Sequence, residues 1–373
     1  MKIAIFLPNL SGVSGGAEVY GLRMAEVLGK DNHIIIITRK NKKINIEDIY
    51  KKYGVQLFET RYVEYYRTKH PLLKDLENYT GAKSIKKILG NEIDLFINCT
   101  YGMMCGPKNV KSIHIIHFPA DPRSSFLGII QGEKYKAKYL SSYQALVANS
   151  EFTRFYVEQL WGVSCDKLNP PIFTKPIEKN GLEKKEKIIL AVDRLVPDKK
   201  VLEMIKMYES LRHKFGCDYK LVIIGNKDTR YEGYYNDIKK RCNDSIQVYT
   251  NVSNSELDRW YEKASIFWHA KGYKVQDDDP INMEHFGMTT VEAMAKGCIP
   301  IVINKAGQKE IVKHKINGYL WNTEVELLDY TIEVINNDDL ALEMREKAVE
   351  GSQYFLQVQF EEKLKKIVEE AMK

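Results

Sequence analysis

No stretch of this 373-residue sequence approaches the ~18 consecutive apolar residues of a bilayer-crossing helix; the longest apolar runs are Ile3–Leu7 and Ile188–Val192. A membrane span is therefore not expected. Cysteine is sparse, at six residues, and forms neither a CxxC pair nor a cluster with the eight histidines. That excludes a zinc motif and a disulfide framework and fits reduced, mostly buried thiols in a cytoplasm. No GxGxxG follows the first apolar run, which disfavours a nicotinamide enzyme. No self-similar period of about 20–50 residues is present, so a repeat array is excluded. No recognised nucleic-acid motif occurs, and nucleic acid is not an expected partner. The opening run Ile3–Leu7 is stopped by Pro8 and Asn9, too early for a secretory h-region, and reads as a strand of the mature protein.

What is present is an ordinary globular composition, 44% hydrophobic and 28% charged, in a chain long enough for two domains. The net charge of +6 is uneven: residues 1–170 hold 24 Lys and Arg against 16 Asp and Glu, and residues 171–373 hold 32 against 34. A basic first half suits an anionic partner, whether acidic lipid headgroups, a phosphorylated acceptor or, but for the missing motif, nucleic acid; a solvated lysine-rich surface is the alternative.

Short apolar runs alternate with helical patterns along the whole chain, the signature of parallel sheets built from β-α-β units. In the first half the strands are read at Ile3–Leu7, His33–Thr38, Ile93–Cys99, Ile113–Phe118 and Ala145–Ala148, with a helix over Glu18–Leu28. Asn169-Pro170-Pro171 is a rigid break. A second series follows at Ile188–Val192, Leu221–Ile224, Ile246–Tyr249, Ile266–His269 and Ile299–Ile303. The expectation is two doubly wound domains, residues 1–170 and 171–354, with the first completed by a helix over about 355–373. That helix is amphipathic, apolar at Phe360, Leu364, Ile367, Val368 and Met372, and must bury this face. Thr60–Lys87 is basic and tyrosine-rich, and reads as an excursion on the acceptor or membrane side.

The densest chemical signal is Asn282–Pro300, NMEHFGMTTVEAMAKGCIP. Thr289–Lys296 reads as a helix stopped by Gly297, which places Phe286, Gly287, Met288 and Thr289 at its N-terminus. Free backbone N–H groups there make a phosphate site that Gly287 lets a ligand approach. Glu292, one turn in, can accept both hydroxyls of a ribose. Glu284, on the loop before the turn, is free to address another part of the same ligand. On spacing alone, two solvated glutamates on a plain strand–helix turn remain the alternative. Gly15-Gly16 follows the first strand as a small-residue loop, and His117 lies at the end of the Ile113–Phe118 run, at a ligand-facing or structural position. Asp277-Asp278-Asp279 reads as a solvated charge run, and no metal site is expected there.

Glu284 and Glu292 are separated by seven residues, and EHFGMTTVEAMAKGCIPIVI resembles the E-x7-E signature of glycosyltransferase family 4, retaining enzymes of the GT-B fold. Further stretches resemble that family in order: Gly15-Gly16-Ala17-Glu18, His117-Phe118-Pro119, Ala148-Asn149-Ser150, Asp193-Arg194-Leu195-Val196-Pro197-Asp198-Lys199, Ala306–Ile311 and Asn317-Gly318-Tyr319. Asp193 and Lys200 stand where glycines are common. The resemblance implies two Rossmann-like domains with a cleft between them that closes on substrate, and a C-terminal helix crossing back to the first domain. It implies donor contacts from Gly15, Gly16, Phe286, Gly287, Met288, Thr289 and Glu292. Arg194 and Lys199 would neutralise the departing diphosphate, Arg through its planar fork and Lys as a mobile point charge. Glu284 would hold a sugar hydroxyl, His117 would lie near the anomeric carbon, and Asp121 would assist the acceptor. Asn149 or Ser150 is expected to cap a helix.

The implied activity is retaining transfer of a hexose from a nucleotide-sugar, GDP-mannose or a UDP-sugar, to a glycan or lipid-linked glycan in surface polysaccharide or glycoconjugate synthesis. No cofactor or metal is expected, since Arg, Lys and a helix dipole replace the ion. The expected location is the cytoplasm, at the inner face of its membrane. An epimerase or hydrolase of the same fold, and a non-catalytic nucleotide-sugar binding protein, are the alternatives.

Overall fold

The structure is a computed structural model that describes residues 1–8, 10, 15–39, 54–65, 76, 78, 89, 92–121, 126–172 and 174–373. They form two compact units, Met1–Pro171 with Val358–Lys373 and Ile172–Gln357. No helix among the described residues is long and apolar enough to cross a membrane.

The first unit is built on β1 (Lys2–Phe6), β2 (His33–Arg39), β3 (Thr60–Tyr65), β4 (Leu95–Asn98), β5 (Lys111–Ile116), β6 (Ala145–Ala148) and β7 (Asp166–Lys167). All pair in parallel in the order β3-β2-β1-β4-β5-β6-β7. Runs such as Ile34-Ile35-Ile36-Ile37 suit this sheet because β-branched residues favour the extended chain and both faces of a parallel sheet are covered. Alternate residues of β1 accordingly enter two different cores, Ile3 and Ile5 on one face, Ala4 and Phe6 on the other. The first face receives α1 (Gly16–Leu28) and also the C-terminal helix Gln357–Met372, whose Phe360, Leu364, Ile367, Val368 and Ala371 are buried there. Salt bridges Lys30–Glu361 (2.8 Å) and Lys365–Asp31 (3.4 Å) flank this seam. In α2 (Glu151–Trp161), Ser150 accepts from the Thr153 amide at 3.1 Å, so Ser150 supplies the cap.

The second unit holds β8 (Glu186–Val192), β9 (Lys220–Ile224), β10 (Ile246–Tyr249), β11 (Ala264–His269), β12 (Ile299–Ile303) and β13 (Tyr319–Trp321), parallel in the order β10-β9-β8-β11-β12-β13. Its two faces are covered by separate apolar clusters, one including α3 (Val201–Phe215) and the other α4 (Asn254–Lys263). Ile189, Ala191 and Trp268 point into one; Leu190, Val192 and Phe267 point into the other. In both sheets the strand order reverses beside the first strand of the unit, between β1 and β4 and between β8 and β11. Ligands of such sheets bind beyond the strand C-termini at this switch point.

Three strands depart from the sequence reading. Thr60–Tyr65 is an ordinary strand, not the start of an excursion; most of the remainder of Thr60–Lys87 lies outside the described residues. Asp166–Lys167 is a two-residue edge, and Tyr319–Trp321 is a strand directly after the Asn317-Gly318 turn.

Candidate functional site

At the second unit's switch point the chain leaves β8 through Asp193 and Arg194 and makes a short turn, Pro197–Lys199. The exit is tight: a Cβ on Gly225, at the end of β9, would lie 1.7 Å from the Asp193 carbonyl oxygen. Lys200 follows with φ 59°. This explains why glycine is common there, since a non-glycine residue in the left-handed region costs about 1 kcal/mol.

The turn delivers the Lys199 ammonium to two carboxylates, Asp193 Oδ1 at 2.7 Å and Glu284 Oε2 at 2.5 Å. Lys199 is 9% exposed. Burial pulls its pKa down, but the two carboxylates outweigh burial and hold it above the ordinary lysine value. Burial pushes Glu284 up, while Lys199, Lys271 and His269 pull it well below the ordinary glutamate range. Two sequence expectations are corrected here. Lys199 is a fixed, buried cation, not a mobile one, and Glu284 is not free, because the same ammonium engages it.

His269, at the end of β11, completes the cluster. Its Nε2 lies 3.4 Å from Glu284 Oε2 and 3.7 Å from Asp193 Oδ2, and its Nδ1 lies 3.3 Å from the side-chain nitrogen of the buried Gln308. Asp193, His269 and Glu284 present three potential ligand atoms within 4.8 Å of one another. Their donor chemistry suits a divalent cation, but the Lys199 ammonium already lies against both carboxylates and would have to be displaced.

The phosphate-type turn follows Glu284. Gly287 precedes α5 (Met288–Ala295) with φ 122°, and a Cβ there would lie 2.6 Å from the Gln308 amide nitrogen. Gly307 is equally constrained: a Cβ would lie 2.5 Å from the His285 carbonyl oxygen, and its N–H donates to the Glu284 carbonyl at 2.9 Å. Two glycines and one glutamine thus fix the backbone between Glu284 and α5. Among the described residues, Gln308 Oε1 and Thr290 Oγ1 are buried without a hydrogen-bond partner. The half-buried Met288 and Thr289 open the first turn of α5. Phe286 turns its ring into the core, edge-on to Phe355 at 5.5 Å, so only its backbone can face a ligand. Glu292 Oε2 accepts from Tyr261 Oη at 3.0 Å. Arg194 is half-buried and forms no ion pair among the described residues; its charge helps hold the neighbouring Asp228 carboxyl below its ordinary range, after the larger effect of Arg230.

The first unit carries a second set. Gly15 precedes α1 and its N–H donates to Glu18 Oε2 at 3.1 Å, while Gly16 is the first helical residue. A recess at the β1/β4 switch point is lined by Leu7, Pro8, Ala17, Glu18, Cys99, Thr100 and Tyr101. His117 lies behind Tyr101, with ring centroids 4.8 Å apart, and its Nε2 is 3.2 Å from the Cys99 carbonyl oxygen. Burial lowers its pKa to about 4, so the ring is neutral at pH 7. Asp121 is exposed. Asp277 is also exposed and pairs with Lys305 at 3.0 Å.

Sequence reasoning missed Asp193 as a partner of Lys199, and assigned no role at the site to His269, Gln308, Lys271 or Tyr261. For His269 a signal existed: like His117, it ends a strand run at a ligand-facing position.

The fold is that of the GT-B glycosyltransferases. A glycosyltransferase from Rickettsia africae is similar with a TM-score of 0.71 and 18% identity, covering 100% of this chain and 98% of its own. The Anabaena protein HepE in complex with UDP and glucose is similar with a TM-score of 0.71 and 14% identity, covering 99% of each chain. More particularly, residues 173–351 match the family model described as glycosyl transferases group 1. In sequence the chain is similar to the GDP-Man:Man(3)GlcNAc(2)-PP-Dol alpha-1,2-mannosyltransferase of Dictyostelium discoideum, 25% identical over 252 residues, 61% of this chain and 48% of that protein. It is also similar to an uncharacterized glycosyltransferase of Methanocaldococcus jannaschii, 29% identical over 143 residues, 38% of this chain and 33% of that protein. The chain spans about half or less of the length of these curated relatives.

Proposed function

We propose that the protein is a retaining, family 4 type hexosyltransferase that moves a sugar from a nucleotide-sugar to a glycan or lipid-linked glycan acceptor. The observation that carries this reading is the second-unit cluster: Lys199 held between Asp193 and Glu284 beside a glycine-capped helix at the switch point. GDP-mannose is favoured as donor by the name of the Dictyostelium mannosyltransferase it resembles, and a UDP-sugar by the UDP-bound HepE. The dolichol-linked acceptor in the first name supports a lipid-linked one here, in glycoconjugate or surface polysaccharide assembly.

Transfer breaks the bond from the anomeric carbon to the diphosphate and forms one to an acceptor hydroxyl. The electron pair of the broken bond stays on the leaving phosphate oxygen, which takes the acceptor's proton on the same face of the sugar. Charge growing on that oxygen is the main electrostatic demand. Arg194, without an ion-pair partner among the described residues, and the amides at Gly287–Thr289 meet it directly. Lys199 contributes through the field it shares with Glu284, which orients a sugar hydroxyl. Glu292 holds the ribose. Asp193 and Glu284 are both committed to Lys199 and are poorly suited to act as covalent nucleophiles. Chemistry without a metal follows from this cation set. The basic excess of residues 1–170 suits an anionic membrane surface on the cytoplasmic side where a lipid-linked acceptor would be met.

Arg194→Ala tests the reading. Turnover of the accepted nucleotide-sugar should fall ~100-fold or more while nucleotide affinity changes by less than ~5-fold, because the cation acts on charge that develops during the reaction. Turnover near the wild-type rate would refute the diphosphate role.

A further inference from the structure

Glu292 is held by a clamp between two helices. α4 (Asn254–Lys263) ends beside α5, and the two are joined at several points. The Lys185 ammonium donates to the carbonyls of Tyr261 (3.1 Å) and Glu262 (2.7 Å) and to that of Lys296, closing the C-terminal ends of both helices. Lys296 in turn pairs with Asp258 (2.8 Å) and Glu262 (2.7 Å). The Cys298 thiol donates to the Tyr261 carbonyl at 3.1 Å. The Tyr261 backbone is therefore fixed from two sides, and its ring is 1% exposed, packed near Phe267. From this anchored position the phenol reaches Glu292 Oε2 at 3.0 Å.

We propose that Tyr261 is the positioning residue for Glu292, pinning one carboxylate oxygen so that the carboxylate is already oriented for the ribose hydroxyls of the nucleotide. The proposal rests on the reading of Glu292 as the ribose-binding carboxylate. Burial first, and then the Glu292 charge, keep the phenol pKa far above its ordinary value, so Tyr261 remains a donor throughout the working pH range. An unpinned glutamate side chain must be ordered when the nucleotide binds, and that entropy is lost from affinity. Tyr261 acts only through Glu292, so its effect must vanish when either the carboxylate or the hydroxyls it addresses are absent.

The test uses the full chain and calorimetric titration of UDP and GDP, together with their 2′-deoxy and 3′-deoxy forms. Wild type should bind the preferred ribonucleotide about tenfold more tightly than at least one deoxy form, the scale of a hydrogen bond to a charged group. Tyr261→Phe keeps the ring and should weaken the ribonucleotide by about 3- to 10-fold and the discriminated deoxy form by less, so that the preference narrows. In a Glu292→Ala background the same Phe change should cost nothing further. Equal weakening of every nucleotide by Tyr261→Phe, or an additive loss in the double variant, would overturn the positioning role and leave the ribose reading intact. A wild type that binds no nucleotide, or binds ribo and deoxy forms alike, would overturn the ribose reading and this proposal with it.

Discussion

Removing the Lys199 ammonium while keeping its length, as in Lys199→Met, isolates the central electrostatic feature of the second unit. The Lys199 side chain is 11% exposed and its ammonium lies 2.7 and 2.5 Å from Asp193 and Glu284, whose side chains are 6% and 18% exposed. Taking one partner out of such a buried group leaves uncompensated charge, which costs ~3–5 kcal/mol. A hydrogen bond from His269, whose Nε2 lies 3.4 Å from Glu284, gives partial relief, so the lower end of that range applies. With a urea m-value of roughly 2 kcal/mol/M, a loss of ~3 kcal/mol moves the unfolding midpoint by roughly 1.5 M. Three of the four tryptophans, Trp260, Trp268 and Trp321, lie in the second unit, so their emission follows it.

The effect also has a pH signature. In wild type the depressed Glu284 pKa contributes stability that is present above the ordinary glutamate value and lost as pH falls through the lower folded value. In the variant an unpaired carboxylate takes up a proton in mild acid, so the gap between the proteins should be widest near pH 8 and narrower near pH 5. Lys199→Met combined with Asp193→Asn should recover part of the loss at pH 8. A loss below ~1 kcal/mol, or one equal at both pH values, would mean that the cluster does not carry the charges described.

Gly287→Ala combines a φ of 122° with a Cβ 2.6 Å from the Gln308 amide, and should cost ~2–4 kcal/mol in thermal unfolding. Gln308→Ala should return only the steric share; complete rescue would show that the backbone is not strained. Burial lowers His117 to about 4 and His114 to about 3. Between those values and the ordinary histidine value the unfolded chain binds protons that the folded chain does not, so stability should fall as pH drops below ~6.5, by ~3 kcal/mol at pH 4 for His117 alone. His117→Asn should flatten that acid limb in melting curves, and an unchanged slope would refute the assignment. Phe360→Ala opens a cavity beside Tyr20 and should destabilise the first unit by ~3 kcal/mol; a change under ~1 kcal/mol would mean the helix contributes little to that core.

Much of this architecture was legible in the sequence because strands covered on both faces leave continuous apolar runs. Ile34–Ile37 and Ile188–Val192 could hardly be anything else. Thr60–Tyr65 escaped because TRYVEY mixes charge with β-formers, as an edge strand with one uncovered side does, and then runs into a basic stretch. The Gly287 turn was readable because its helix start and the Gly297 stop are local in sequence. Contacts across the sheet were not. In sequence Asp193 is only a residue standing where glycine is common, whereas in the fold it supplies a second carboxylate to Lys199. Gln308 and Tyr261 belong to other elements, and nothing in their immediate neighbours indicates that they meet Gly287 and Glu292.

The return of helix Gln357–Met372 to the first unit also sets the order of events during synthesis. β1 and α1 leave the ribosome early, yet the apolar face that Phe360, Leu364 and Ile367 will cover stays open until all of Ile172–Gln357 has been made. At ~5–20 residues per second that interval is on the order of 10 to 40 s, far longer than a helix needs to form. The second unit, continuous in sequence, can complete its core during this interval, while the first must wait without the ring that packs on Tyr20. The N-terminal unit is thus the last to be finished, and during that window it is the part of the nascent chain with most need of a chaperone.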